Sequence, residues 1–341
     1  MEELRGEIKQ MIYGNFVSQV TCTFAELGVA DAFNESKCDI NQIAEYVKAK
    51  PDYLKRFLRC ASDLGYINFF PETGLYELQE RGSLLGRNHP HSMREEARLN
   101  GAYYRYEPWG HLVSILKNGV DEKYSPTFKS GSLDYLNDKP ELLENFHKAM
   151  TEISNSENKL IIKDYDFSGY SSILEIGCGE GSLIRSILDK YEHLSGCAFD
   201  LPETFKGEVE PGFKNRLVQK GGDFFQEIPD VADLYVMKNV IHNWPQDKAL
   251  QLLKNIRTAM LSTENNSVAP EEKRLLIIEN LIPESDENSI ANWMDLNFMV
   301  IVDGAERTLN EYREIASDAG LEMTRTKSTS SGRDIMEFSL A

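Results

Sequence analysis

The rhythm of hydrophobic and polar positions changes once along the chain. Through the first hundred residues the apolar positions keep helical spacing. Ile12, Phe16, Val20 and Phe24 fall four apart, which predicts one helix face. Ile43, Ala44 and Val47 repeat the pattern, with Asp39 placed to cap that helix. A third set, LKRFLRCASDLGYI, carries Gly65 where a helix would end. Two short β-type runs follow, YINFF and GLYELQ, joined by the turn-like Pro71-Glu72-Thr73-Gly74. Helices followed by a hairpin form the pattern of a winged helix.

Residues 100–165 predict further helix rich in aromatics: Tyr103, Tyr104, Tyr106, Trp109, Phe128, Tyr135 and Phe146. Pro140 is suited to the first turn of the helix PELLENFHKAM. Such aromatics build a plain core or line an apolar ligand pocket, since both use the same residue types. From about Tyr170 short apolar runs alternate with helical patterns. SSILEIG, LSGCAFD, ADLYVMKNV, RLLIIEN and DIMEFSL read as strands, while SLIRSILDKY, PETF, DKALQLLKNIRTAML and LNEYREIASDAG read as helices. That alternation predicts a mostly parallel sheet covered on both faces. The polar stretch STENNSVAPEEK reads as a surface loop.

Charge removes one reading of the N-terminal pattern. The chain of 341 residues has a formal net charge of −18, and residues 1–100 alone carry 12 Lys and Arg against 15 Asp and Glu. A DNA-reading wing should be basic, so nucleic acid is not expected as a partner. The five cysteines, Cys22, Cys38, Cys60, Cys178 and Cys197, are odd in number and show no CxxC spacing. Reduced thiols in a cytoplasmic protein are therefore expected, without a disulfide framework or a zinc site. The N-terminus alternates charge without an apolar core, which argues against a signal peptide, and no apolar run is long enough for a membrane span.

The sharpest local signal is ILEIGCGEG, residues 173–181. An apolar strand runs into glycines at 177, 179 and 181 and then into a helix. Glycine lets backbone turn tightly against a ligand, and the helix N-terminus offers free N–H groups. A dinucleotide-binding GxGxxG would need its third glycine at Ser182, which disfavours a nicotinamide enzyme. Glycine-rich turns also occur as structural punctuation. The next strand ends in Asp200, 19 positions after Gly181. An acidic residue at that register accepts hydrogen bonds from both hydroxyls of a ribose, although a lone strand-end aspartate also serves as a turn residue.

At residues 222–244 the sequence reads GDFFQEIPDVADLYVMKNVIHNW. This resembles the plant and bacterial small-molecule O-methyltransferase family that includes caffeic acid and polyketide O-methyltransferases. The resemblance covers nearly the whole chain, from ELGVADAF, RFLRCASDLGY and LYELQERGSLL through ENFHKAM to GAERTLNEYREIASDAGL. It implies a Rossmann-like class I methyltransferase fold, α/β with a mostly parallel sheet, behind an N-terminal, mainly helical, winged-helix-like dimerisation domain. The implied divisions are 1–100 for dimerisation, 101–165 for a helical linker to the substrate pocket, and 166–341 for the catalytic domain. It also implies a homodimer that binds S-adenosylmethionine and releases S-adenosylhomocysteine, without a metal.

The resemblance further implies residue roles. Glu175, Gly177 and Gly179 belong to the cofactor turn, with Gly177 against the methionine part. Asp200 holds the ribose, with Leu201 beside the adenine. Asp223 and Phe224 bind the adenine, and Lys238 approaches from the next strand. His242 matches the catalytic base, flanked by Glu279 and Glu306. Substrate positions fall on Leu142, Phe146, Met150, Asn239, Asn243, Met294, Asn297 and Ile301, mostly apolar and suited to a planar aromatic guest. A phenol with pKa near 10 is mostly protonated at neutral pH, so a histidine of ordinary pKa, near 6.5, is the expected base. A carboxylate on its other nitrogen fixes the tautomer. Asn243 departs from the family, which usually has Asp there, and loses a negative charge. Family relatives that decarboxylate or hydroxylate, or methylate nitrogen, are the alternative, since a fold hosts more than one reaction.

Overall fold

The computed structural model describes all residues except 34–35, 122, 125–133, 206, 208, 230, 265–267 and 286, and it also omits the side chains at 134 and 137. Phe128 and positions 265–267 of the expected polar loop thus lie outside the described residues. Two compact units form: Met1–Glu107 with Leu136–Ile153, and Pro108–Tyr135 with Ser154–Ala341.

In the first unit the expected helical run through Phe24 is two helices, α1 (Glu2–Ile12) and α2 (Gly14–Leu27), because the chain leaves helical geometry at Tyr13. Helix α3 (Ile40–Tyr46) starts as expected. Asp39 accepts from the N–H groups of Asn41 and Gln42, and the Gln42 side chain accepts in return from the N–H of Asp39. Helix α4 (Pro51–Asp63) is followed by Gly65 in the left-handed region, φ +73°. Strands β1 (Ile67–Phe70) and β2 (Leu75–Leu78) make the antiparallel hairpin, closed by Gly74 at φ +71°. Phe24, Val29, Phe33, Ile43, Leu58 and Ile67 form its core. Pro140 opens the long helix α5 (Pro140–Asp164), whose first half belongs to this unit.

The second unit is built on a seven-stranded sheet in the order β10-β11-β7-β6-β3-β4-β5. Strands β3 (Ser172–Ile176), β4 (Ser195–Asp200), β5 (Leu217–Gly221), β6 (Leu234–Lys238) and β7 (Arg274–Glu279) run parallel. A two-residue pair, β8 (Leu281–Ile282) with β9 (Arg307–Thr308), lies apart from that sheet, and β10 (Leu321–Ser328) and β11 (Asp334–Leu340) add to its β7 edge antiparallel. Four central strands are buried on both faces and therefore read as apolar runs. The two strands of this sheet not anticipated, β5 and β10, are the outermost ones. They are mostly exposed and polar, so their sequence carries little apolar signal.

Side chains alternate to two cores. Leu174, Ile176, Tyr235, Met237, Leu275 and Ile277 pack with helices α7 (Gln246–Leu261) and α9 (Leu309–Asp318). Ile173, Leu234, Val236, Leu276 and Ile278 pack with α6 (Ser182–Lys190) and the end of α5. Helix α8 (Ile290–Val302) lies between β8 and β9 in sequence. Because the parallel strands share a direction, the glycine turn, Asp200, Lys238 and Glu279 all arrive at the C-terminal edge of the sheet, where open α/β sheets bind their ligands.

Candidate active site

The glycine turn leaves β3 with Gly177, Gly179 and Gly181 all at positive φ, +66°, +55° and +75°. A side chain at 177 would also meet Val240 at 2.7 Å. Beneath the turn, the buried Glu175 accepts the N–H of Ile184 in the first turn of α6 at 3.0 Å, so it anchors the helix that carries the turn. Burial pushes its carboxyl up to about 7, against the pull of that hydrogen bond and of Lys238. Asp200 accepts from the N–H of Gly179 and of Leu201, both at 2.7 Å, and from the Thr204 hydroxyl at 3.1 Å. The carboxylate is thereby fixed against the turn.

Beyond β5, Gly222 donates to the Asp200 carbonyl, which brings Asp223 and Phe224 beside the end of β4. Asp223 caps its own turn through the Phe225 N–H, and the Phe224 ring packs against Phe225 and Trp244. On the other side of β3, Lys238 is buried in an ion pair with Glu157 of α5 at 2.8 Å. Arg333 holds the second Glu157 oxygen, also at 2.8 Å. Burial alone would raise the Glu157 pKa, but the two cations hold it below the ordinary range.

The loop after β6 carries the histidine. Asn239 takes a left-handed conformation, φ +58°, which asparagine tolerates better than most residues. Ile241–Asn243 then make one tight turn. The Asn243 amide donates to the carbonyls of Asn239 and Val240, both at 3.2 Å. A carboxylate could not donate there, so the departure from the family's aspartate acquires a local role in the turn. Glu279, fully buried at the end of β7, accepts the N–H groups of Val240 and Ile241 on one oxygen. Its other oxygen stands 2.8 Å from His242 Nδ1, off the line of a good hydrogen bond, so the contact is chiefly one of charge. Glu306 lies 3.4 Å from the same nitrogen and is held by the Asn280 amide and, at its backbone, by Asp295. The His242 ring stacks on Phe298 of α8 at 4.0 Å.

These neighbours correct the expectation of an ordinary histidine. Burial pulls the His242 pKa down, but the charge and contact of Glu279 and then of Glu306 outweigh it, and the ring is pushed up to about 9.

The segment behind Glu306 is fitted closely to this loop. A Cβ at Gly304 would stand 2.1 Å from the His242 carbonyl, and the Ala305 N–H donates to that carbonyl at 2.9 Å. Buried Arg307 spans the carbonyls of Trp244, Ala305 and Ile241. Sequence reading quoted this segment but singled out only Glu306. It also passed over Glu157, Arg333 and Phe298, which lie far apart along the chain and carry no motif. Met294 and Ile301, four residues before and three after Phe298, share its side of α8, and Asn297 is next to it. Leu142, Phe146 and Met150 lie in the first unit, on the early turns of α5, each half-buried. The structure thus brings His242, Glu279 and Glu306 into contact and gathers the cofactor positions along neighbouring strand ends.

The chain is similar to known proteins over nearly its whole length. Residues 109–322 match the family described as O-methyltransferase domain. The chain is 30% identical over 334 residues to a phenazine O-methyltransferase of Lysobacter antibioticus, covering 96% of this chain and 94% of that one. It is 28% identical over 323 residues to a mitomycin biosynthesis 6-O-methyltransferase of Streptomyces lavendulae, covering 94% and 89%. The solved structure of a mitomycin 7-O-methyltransferase superposes with a TM-score of 0.88 at 27% identity, covering 100% of this chain and 98% of that one. The fold is that of the class I methyltransferases, with an N-terminal helical region that precedes the mostly parallel sheet in sequence.

Proposed function

Because this chain belongs to the O-methyltransferase family, we propose that it methylates a hydroxyl of a small aromatic molecule, with S-adenosylmethionine as donor and His242 as base. The observation that carries the reading is His242 with two buried carboxylates at its Nδ1, in the loop after β6, the strand next to the one that ends in the glycine turn. The donor fits the residues present. Three glycines hold backbone conformations that admit a close ligand, and Asp200 presents an acceptor for a ribose at the next strand end. Asp223, Phe224 and Leu201 follow on the adenine side.

When bound, S-adenosylmethionine supplies a methyl group already activated by its sulfonium. The protein therefore needs to position the acceptor and take one proton. His242 Nδ1 faces the carboxylates, which leaves Nε2 to receive the hydroxyl proton. Glu279 and Glu306 stabilise the imidazolium that forms. Met294, Asn297, Ile301 and Asn239 supply apolar surface and amide groups near the ring. The relatives named for phenazine and mitomycin O-methylation support an aromatic acceptor. The base and both carboxylates favour methyl transfer over decarboxylation or hydroxylation.

The donor atoms of His242, Glu279 and Glu306 lie within 4.8 Å of one another. In this reading the ring proton, rather than a metal, supplies the positive charge among them. Incubation with methyl-labelled S-adenosylmethionine and a panel of phenols, with and without chelator, tests the whole reading. Label should appear on an acceptor oxygen, equally in both arms. No transfer to any hydroxyl, or loss of transfer with chelator, contradicts it.

We also propose that the chain works as a homodimer in the cytoplasm and binds neither nucleic acid nor membrane. Leu4, Ile8, Met11, Ile12 and Phe16 of α1 and α2 are all more than half exposed, and α1 buries nothing in its own chain. An apolar stripe of this kind is suited to a second copy. Five free cysteines fit a reducing compartment. Among the described residues no helix is long and apolar enough to cross a membrane. Light scattering at micromolar concentration should give twice the 38.8 kDa chain mass. Paired Ile8→Glu and Ile12→Glu changes should give the single mass. A wild-type monomer would end the dimer proposal.

A further inference from the structure

Asn158 of α5 is 1% exposed, and its carbonyl oxygen is buried without a hydrogen-bond partner. Ser182 donates its hydroxyl proton to Asn155 Oδ1 at 2.8 Å and accepts from Asn158 Nδ2 at 3.0 Å. The oxygen is therefore the free end of the amide. A buried acceptor without a donor is unfavourable unless something arrives to fill it.

Sheet order says what arrives. Strand β3 delivers the glycine turn, and Ser182 opens the helix that follows it. Strand β4, with Asp200, lies on one side of β3, and β6, with Lys238, lies on the other. Lys238 reaches Ser154 and Glu157 on α5, so the turn of α5 that bears Asn158 lies on the β6 side. With its adenine on the side of Leu201 and Asp223, as proposed above, a ligand whose ribose is held at Asp200 directs its amino-acid end across the glycine turn toward that helix. That end carries an ammonium, rich in donors, and a carboxylate, which has none. A bare carbonyl oxygen matches only the ammonium.

We propose that Asn158 Oδ1 accepts a hydrogen bond from the α-ammonium group of the bound methyl donor, which makes Asn158 a cofactor-binding residue specific to its amino-acid end. The proposal rests on the donor reading above. It explains why a polar side chain is kept in a nearly sealed position beside the turn, and it assigns the methionine half of the ligand a contact that the motif residues do not supply.

Calorimetry on the full-length protein with two ligands separates the halves. S-adenosylhomocysteine carries the amino-acid end, and 5′-methylthioadenosine shares the nucleoside and thioether without it. Asn158→Leu should raise the Kd of S-adenosylhomocysteine by about ten- to a hundredfold, as for loss of a hydrogen bond to a charged group. The Kd of methylthioadenosine should stay within about twofold. Asp200→Ala should weaken both ligands. If Asn158→Leu loses its melting transition, Asn158→Asp takes its place. It should keep S-adenosylhomocysteine binding at least at the wild-type level, because a carboxylate also accepts from an ammonium. Equal effects of Asn158→Leu on both ligands, no effect on either, or a tenfold loss with Asn158→Asp would overturn the proposal. A wild-type protein that binds neither ligand would overturn the donor reading itself.

Discussion

Replacing His242 with alanine should lower kcat by about 10²–10⁴-fold, the usual contribution of a positioned general base, while the affinity for S-adenosylhomocysteine stays at the wild-type value. The separation follows from geometry. His242 is held from behind by Glu279 and Glu306 and from the side by Phe298. Asp200 and the glycine turn, the proposed donor site, depend on a different set of hydrogen bonds. The melting temperature should fall too, because the substitution leaves two buried carboxylates without their positive neighbour. Binding measured well below the transition keeps the catalytic effect separate from that loss. A variant that turns over at near wild-type rate at pH 7 would assign proton removal to another group, or leave positioning alone to carry the reaction.

The second large effect is on pH. Raised to about 9, His242 holds its proton at neutrality, and at pH 7 about one ring in a hundred is neutral. Because kcat/KM reports the free enzyme, it should climb about a hundredfold from pH 7 to a plateau above pH 9. The sign is that of a base: activity appears as the ring loses its proton. Acceptors with hydroxyls of different acidity should show the same limb, which distinguishes the enzyme's titration from the substrate's. Glu279→Gln removes the carboxylate with the larger effect on the ring and should move the limb toward neutrality. A wild-type limb near pH 6.5 would mean that the carboxylates do not govern the ring.

The contrast between that value and the neutral one expected from sequence shows where sequence reading stops. The glycine turn and Asp200 were legible because each sits in a short pattern set by one strand end. His242 and its flanking glutamates were legible only through family resemblance. Their effect on the histidine depends on burial and on distances across strands, which no local pattern contains. The same holds for Glu157 and Arg333, 176 positions apart and joined only by folding. Gly304 illustrates a different gap. Glycine there is demanded by a backbone oxygen of the histidine loop, and nothing in the sequence GAERT says what lies opposite. Among the elements, the buried strands announced themselves by apolar runs. The exposed outer strands β5 and β10 did not, because sheet pairing rather than burial defines them.

The register of β7 makes the catalytic centre sensitive to how the chain finds its fold. Lys238 stands opposite Ile278, so Glu279 emerges at the edge beside the histidine loop. Successive side chains on a strand alternate faces, so a slip of one residue would turn Glu279 to the wrong side of the sheet. The loop would then lose the carboxylate oxygen that accepts its two backbone N–H groups, and the ring its nearest charge, at once. Parallel pairings of this kind join distant parts of the chain and form slowly, since loop closure must come first. During refolding, therefore, methyl transfer should be among the last properties to return. A compact intermediate with most of its helices formed would still have no base in place.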